Sequence, residues 1–289
     1  MKEFKDKVAV ITGAASGIGR AIAKRCAQEG MYVVLADIEA SALAQTETDM
    51  TAAGANVMAV LTDVSKASEI AALAQRTLAA YGAVHLLCNN AGVGAGSTVW
   101  ESTIHDWEWV LGVNLWGVIH GLRTFVPIML EQDAESHIVN TASIAGLISF
   151  HRNAAYHATK HAVVALSEKL HYDLAERGGK VKVSVLCPGW VRTRIMDSRR
   201  NRPAELENDP AETVMTPEWE AALAEYRQAC EAGMSPDKVA NDVFQAIRDE
   251  KFYILTHTEF TPSVKARIEA ILQGHNPLAL NELAALLAD

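Results

Sequence analysis

Val8-Ala9-Val10-Ile11-Thr12-Gly13-Ala14-Ala15-Ser16-Gly17-Ile18-Gly19-Arg20 is the stretch that decides the fold. Its apolar start reads as a strand buried on both faces. The glycines at 13, 17 and 19 then open a helical pattern, with Ile18, Ile22 and Cys26 on one side and a stop at Gly30. A chain approaches a pyrophosphate closely only where side chains are missing, and the free N–H groups of a helix start favour negative charge. Gly13, Ser16, Gly17, Ile18 and Gly19 are therefore candidate cofactor residues. A glycine-rich turn alone is a weak sign, but here an acid follows downstream. Asp37 ends the run Met31–Ala36, where its carboxylate can accept hydrogen bonds from adenosine ribose hydroxyls and repel a 2′-phosphate. Ser16 and Ile38, positions that could carry a compensating cation, are neutral, so NAD is expected over NADP. Asp37 is also a good residue to cap the following helix.

Outward from this unit, short β-rich runs alternate with helical patterns. Lys7–Thr12, Met31–Ala36, Asn56–Thr62, Val84–Asn89, His137–Thr141, Val181–Leu186 and Phe252–Leu255 read as strands. Arg20–Glu29, Ser68–Ala80, Trp107–Leu130 and Ala155–Glu176 read as helices. Repeated βα units predict an α/β, Rossmann-type, doubly wound and mainly parallel seven-stranded sheet with helices on both faces. A dinucleotide-binding and catalytic domain is expected over residues 1–260. Residues 190–235 are rich in charge and scattered aromatics and read as a substrate lid. Residues 261–289 read as a partly helical extension ending in a stripe of Leu280, Leu283, Leu286 and Leu287.

The chain has 289 residues, 49% of them hydrophobic, and a formal net charge of -9. A mean hydropathy of +0.05 fits a globular core. The negative charge argues against nucleic acid and against an anionic membrane. Cys26, Cys88, Cys187 and Cys230 show no metal-ligand spacing, and three lie in apolar runs, as small buried hydrophobes do. The charged start through Lys7 does not resemble a signal peptide, and no uncharged apolar run reaches spanning length. A soluble, reducing, cytoplasmic setting is expected.

A second motif, Tyr156-His157-Ala158-Thr159-Lys160, places a phenol and an ammonium one helical turn apart. Removing a hydroxyl proton during hydride transfer needs a base. A free phenol, with a pKa of about 10, is a poor one, and a nearby cation favours its phenolate. Taken singly, Tyr156 reads equally as a core aromatic with Lys160 running past it, and Ser143 as a turn residue. His151, His157 and His161 gather nearby, yet no carboxylate or cysteine completes a ligand set, so no metal is expected. They read as packing or surface residues.

The ordered set Thr12-Gly13-x-x-x-Gly17-x-Gly19, Asn89-Asn90-Ala91-Gly92, Asn114, Ser143, Tyr156-x-x-x-Lys160 and Pro188-Gly189 resembles the short-chain dehydrogenase/reductase family over roughly residues 6–260. The resemblance implies that Asp63-Val64 lines the adenine pocket and that Asn90, Ala91 and Gly92 support the sheet and a cofactor ribose. It further implies that Pro188 and Gly189 border the nicotinamide, that Val191 gives backbone support and that Thr193 contacts the carboxamide. Tyr156 would be the base, Lys160 its tuning cation and a cofactor ligand, and Ser143 the residue orienting substrate. Asn114, awkward inside a helix, would hold a water relaying protons through Lys160. Family members pair through their two longest helices, so a homodimer or homotetramer is expected.

The pocket walls are expected in Val93–Trp100, Ile144–Asn153 and the segment from Trp190 onward. Trp100, Ile144, Leu147, Ile148, Phe150, Trp190, Ile195 and Met196 are the bulky members, with Met215, Trp219 and Tyr226 beyond. They imply an apolar pocket for a bulky or aromatic secondary alcohol. Arg192, Arg194, Arg199, Arg200 and Arg202 read as a surface cluster neutralised by Glu205, Glu207, Asp209 and Glu212. This region, with Phe252–His257, is similar to the Cα-dehydrogenases of lignin aryl-ether breakdown. The expectation is an NAD-dependent secondary-alcohol dehydrogenase acting on a small molecule. An NADP-dependent carbonyl reductase and a non-catalytic cofactor sensor of the same fold are the alternatives.

Overall fold

All seven apolar runs become strands of one parallel sheet in the computed structural model, which describes residues 1–149, 153–209, 216–278 and 282. The strands are β1 (Val8–Thr12), β2 (Tyr32–Asp37), β3 (Val57–Leu61), β4 (Leu86–Asn89), β5 (Ser136–Thr141), β6 (Val181–Cys187) and β7 (Tyr253–Leu255). Their order is β3-β2-β1-β4-β5-β6-β7. The central strands are buried from end to end, which is why they read as unbroken apolar runs. The chain winds outward from β1 in one direction and from β4 in the other. The crevice between their carboxyl ends is where a doubly wound sheet receives ligands.

Helices cover both faces. The first five are α1 (Gly17–Gln28), α2 (Ala40–Ala52), α3 (Ala67–Tyr81), α4 (Ile104–Leu111) and α5 (Gly117–Glu131). Four more follow, α6 (Ala154–Glu176), α7 (Pro217–Ala232), α8 (Pro236–Arg248) and α9 (Thr261–Gln273). One core joins Ile22 of α1 and Phe244 and Ile247 of α8 to Ala9 and Ile11. The other joins Ile70 and Leu73 of α3, Phe125 and Met129 of α5 and Val163 of α6 to Val10, Leu87 and Ile138. A buried polar chain pins α6 to the sheet. Asn89 Nδ2 donates to Asn140 Oδ1 at 2.9 Å, Asn140 Nδ2 to Ser167 Oγ at 3.0 Å, and Ser167 Oγ to the Val163 carbonyl at 2.7 Å.

One expectation changes here. The single helix expected over Trp107–Leu130 is interrupted by a π-helical turn, Gly112–Trp116, between α4 and α5. The whole stretch Ile104–Glu131 is long and apolar enough to cross a membrane by composition. In this fold its apolar residues Val118, Leu122, Phe125 and Met129 pack in the core beside the sheet. The expected leucine stripe at 280–287 lies outside the described residues, apart from position 282.

Candidate active site

The glycine turn leaves β1 through Gly13 and Gly17, whose φ values of 66° and 51° belong to the left-handed region. A Cβ on Gly19 would lie 2.2 Å from the Gly13 carbonyl oxygen, so only glycine lets α1 begin this close beneath the turn. Ser16, the residue capping α1, makes no side-chain hydrogen bond to the helix, and the first turn of α1 carries no acid. Its free amides fit an anionic pyrophosphate.

Across the switch point, Thr12 Oγ1 accepts from the amides of Asn90 at 2.9 Å and Ala91 at 3.1 Å, while Asn90 Nδ2 returns a bond to the Thr12 carbonyl at 3.0 Å. The turns after β1 and β4 are thereby locked together. Asp37 Oδ2 accepts from Ala15 N at 2.9 Å and Oδ1 from Glu39 N at 3.0 Å. Burial pushes its carboxyl up, against the pull of these amides. Asp37 does not cap α2, whose cap is Glu39. Asp63 closes its own turn through Ser65, by N–H at 3.0 Å and hydroxyl at 2.7 Å.

These elements border one cavity of about 960 Å³. Gly13, Ser16, Gly17, Ile18, Asp37, Ile38, Asp63, Val64, Asn90, Ala91, Gly92, Pro188, Gly189, Val191 and Thr193 all line it, as do Ser143, Tyr156 and Lys160. Gly19 and Asn114 do not. Gly19 packs behind the turn. Asn114, fully buried in the π-helical turn, accepts from Val93 N at 2.8 Å and donates to the Val93 carbonyl at 2.9 Å. A Cβ on Gly92 would sit 3.5 Å from Asn114 Oδ1 and 3.6 Å from Lys160 Nζ. Gly92 thus lies beside both side chains.

Tyr156 and Lys160 stand in the first two turns of α6. Ser143 reaches Tyr156 because the turn after β5 lies against the α6 backbone. A Cβ on Gly146 would meet the Lys160 carbonyl oxygen at 2.5 Å. Burial raises the pKa of the Tyr156 phenol, and the Ser143 hydroxyl beside it draws it down by less. Lys160 Nζ lies 5.4 Å from the Tyr156 ring centroid and donates to the Thr141 carbonyl at 2.9 Å. Burial lowers the Lys160 ammonium to about 8. The phenol is therefore held up by desolvation, and the downward pull expected from Lys160 comes instead from Ser143. His157 packs as expected, its Nδ1 3.1 Å from the Ala145 carbonyl.

The other end of the cavity is walled by Ile144, Trp190, Ile195, Met196, Trp219 and Tyr226, with Leu223 and Phe260. Trp190 and Tyr226 face each other at 5.6 Å between ring centroids. Three expected wall residues do not line it. Trp100 is 81% exposed, on the turn before α4, while Ile148 and Leu147 join an apolar cluster with Phe260. Phe150, His151 and Met215 lie outside the described residues.

The arginine cluster is also corrected. Arg199 takes an expected partner, Glu207, at 3.0 Å. Arg200 reaches Glu39 beside the β2 tip, Nε to Oε1 at 2.9 Å, and Arg194 approaches the same carboxylate at 3.6 Å. Arg202 is buried, bonding Asp106 Oδ1 at 2.6 Å and Asn208 Oδ1 at 2.7 Å over the Trp109 ring. The local run of acids downstream hid these distant partners. His257 escaped the sequence reading too. It lies against Gly189 and bonds the backbone on both sides of it.

The model of the short chain dehydrogenase family matches residues 7–204. A CLA biosynthesis dehydrogenase/reductase of Lactiplantibacillus plantarum is 35% identical over 96% of this chain and 97% of its own length. A C alpha-dehydrogenase of Sphingobium sp. is 32% identical over 96% of this chain and 89% of its own. A crystal structure of a short-chain dehydrogenase/reductase from Burkholderia phymatum in complex with NAD superposes with a TM-score of 0.93 at 49% identity, covering 96% of this chain and 99% of that one. The glycine turn, Asp37 and the Ser143, Tyr156 and Lys160 set share one cavity, and the relatives match nearly end to end: the chain belongs to the short-chain dehydrogenase/reductase family.

Proposed function

We propose that the protein is an NAD-dependent dehydrogenase that reversibly oxidises a bulky, hydrophobic or aromatic secondary alcohol to its ketone. The observation that carries this reading is the Ser143–Tyr156 hydroxyl pair with Lys160, set in the same cavity as Asp37. The bound nicotinamide supplies the hydride acceptor. The protein's own groups do the rest. Ser143 Oγ, whose hydrogen points to the Pro188 carbonyl at 3.3 Å, turns it to the substrate oxygen when substrate binds and aligns it. Tyr156 Oη takes the hydroxyl proton. Lys160, fixed by Thr141, keeps its remaining N–H groups for the cofactor ribose and for relaying the proton. Gly92 lies beside both Lys160 and Asn114, and a water bridging the two would complete the relay.

The NAD preference rests on Asp37 and on the ion pairs that tie Arg194 and Arg200 to Glu39 rather than leaving them for a 2′-phosphate. The substrate class rests on the aromatic and aliphatic wall from Ile144 to Tyr226. Its likeness to a C alpha-dehydrogenase and to 1-deoxy-11-beta-hydroxypentalenate dehydrogenases agrees. Residues 190–235 serve as the lid over this wall and 261–289 as an extension packed on the body or a neighbour. Four free, buried thiols accord with a cytoplasmic protein. A homodimer or homotetramer through α4–α5 and α6 is supported by exposed Trp116 and Tyr172, 51% and 65% accessible.

The test is NADH formation from NAD⁺ with secondary alcohols running from small aliphatic to bulky aryl. Bulky substrates should turn over fastest. Tyr156→Phe should cut kcat by about 10²–10⁴-fold, the usual worth of a general base, with NAD⁺ affinity nearly intact. Turnover retained in Tyr156→Phe overturns the assignment.

A further inference from the structure

His257 follows β7, far along the chain from the glycine turn and from Tyr156, yet it reaches the cavity's nicotinamide side from behind. Its Nε2 lies 2.9 Å from the Trp190 carbonyl oxygen. A carbonyl only accepts, so Nε2 carries the hydrogen, and because the Gly189 N–H donates to Nδ1 that nitrogen carries none and the ring is the neutral Nε2–H form. Nδ1 is then an acceptor, and the Gly189 N–H donates to it at 3.0 Å, with the Thr256 hydroxyl 2.7 Å away. One imidazole therefore grips the turn before and after the Gly189 α-carbon. The ring is only 8% exposed.

The glycine and the histidine are matched. A Cβ at 189 would fall 2.9 Å from His257 Cγ and 2.7 Å from Phe260 Cε2. The rest of the turn is held from the opposite side. The Pro188 carbonyl accepts from Ile144 N at 2.9 Å and from Ser143 Oγ at 3.3 Å. The Trp190 carbonyl accepts from Met234 N at 2.9 Å. Ser143, which faces the Tyr156 phenol, and His257 thus clamp the same three-residue turn from two sides.

We propose that His257 is a positioning residue: in its Nε2–H form it fixes the Pro188–Trp190 turn at the height where the nicotinamide ring rests, while the adenosine half of the groove is set independently by Asp37 and the glycine turn. The proposal rests on the reading above that Pro188 and Gly189 border the nicotinamide. Its physical basis is that a displacement of about 1 Å at a reacting centre costs up to 10²-fold in rate, so a turn this close to hydride transfer must be held by more than its own backbone.

The test is calorimetric and needs no substrate. NAD⁺ and ADP-ribose are titrated into the wild type, His257→Ala and His257→Asn. ADP-ribose reports the adenosine half alone, and the ratio of the two dissociation constants reports the nicotinamide. His257→Ala should lower the NAD⁺-over-ADP-ribose preference about fivefold, the scale of one neutral hydrogen bond, with ADP-ribose affinity within about twofold of wild type. His257→Asn, whose Oδ1 replaces Nδ1 as the acceptor for Gly189, should recover part of the preference. An unchanged preference in folded His257→Ala overturns the proposal, and so does a parallel loss of both affinities. A wild type that binds ADP-ribose as tightly as NAD⁺ overturns instead the placement of the nicotinamide at this turn. If His257→Ala does not fold, His257→Gln keeps a donor for Trp190, loses the acceptor for Gly189, and carries the same expectation and refutation.

Discussion

Lys160 combines complete burial with a positive charge, and its ammonium is lowered to about 8. An unfolded lysine holds its proton to about 10.4. Between these values the unfolded chain binds more protons, so this residue's contribution to stability rises with pH there and is least favourable below 8. The four buried thiols, all raised by burial, act in the opposite sense above their unfolded pKa of about 8.5. A difference measurement separates the two. The unfolding free energy of wild type minus that of Lys160→Met should increase by about 3 kcal/mol from pH 8 to 10.5, read from denaturant curves. A second prediction concerns Gly92. Gly92→Ala sets a methyl 3.5 Å from Asn114 Oδ1 and 3.6 Å from Lys160 Nζ and should lower kcat about 10²-fold, the low end of proton-transfer effects, read from steady-state kinetics. Tyr156, Lys160, Ser143 and Asp37 were legible because their chemistry demands fixed residue types at fixed spacings. Arg202–Asp106, Arg200–Glu39 and His257–Gly189 were not, because their partners stand 96, 161 and 68 positions apart.

Among the elements, the strands were legible to within a residue or two, since burial on both faces leaves continuous apolar runs. The helices were less so. α2 and α7 mix polar with small and apolar residues and are half solvated, so their apolar periodicity is faint. α7 and α8 were not read from the sequence, although Thr216-Pro217 and Ser235-Pro236 put a capping hydroxyl and a proline at each helix start. The π-helical turn left no mark beyond Asn114 sitting where a helix resists it. The pairing of α4 with the segment after β6 gives an element-scale prediction. Asp106 and Arg202 side chains are only 7% and 5% exposed. Asp106→Ala leaves a buried guanidinium without its counterion and should destabilise by about 3–5 kcal/mol, whereas replacing both residues by apolar ones should recover most of that loss. Thermal unfolding of the single and double variants checks it.

For the molecule as a whole, the βα alternation made the doubly wound sheet legible, and the glycine turn placed its ligand crevice. The path of residues 190–208 was beyond reach, because it is set by contacts with β2 and α4 rather than by local pattern. NAD⁺ that binds only the folded chain should raise stability by about 2.7 kcal/mol at a hundredfold excess over Kd, measured as a shift in Tm. The strap formed by Arg200 and Glu39 has a kinetic meaning. It ties the segment after β6 to Glu39 beside Asp37, while the same segment is anchored through Arg202 to Asp106 of α4. Under the proposed function, coenzyme and alcohol would both pass this segment, and steady-state kinetics should show compulsory order, coenzyme on first and off last. The ion pair is partly exposed, so ionic strength should set the pace of that last step. NADH release should quicken several-fold as salt rises from 0.01 to 1 M and the Debye length falls from about 30 to about 3 Å, and Glu39→Gln should release NADH quickly at any salt.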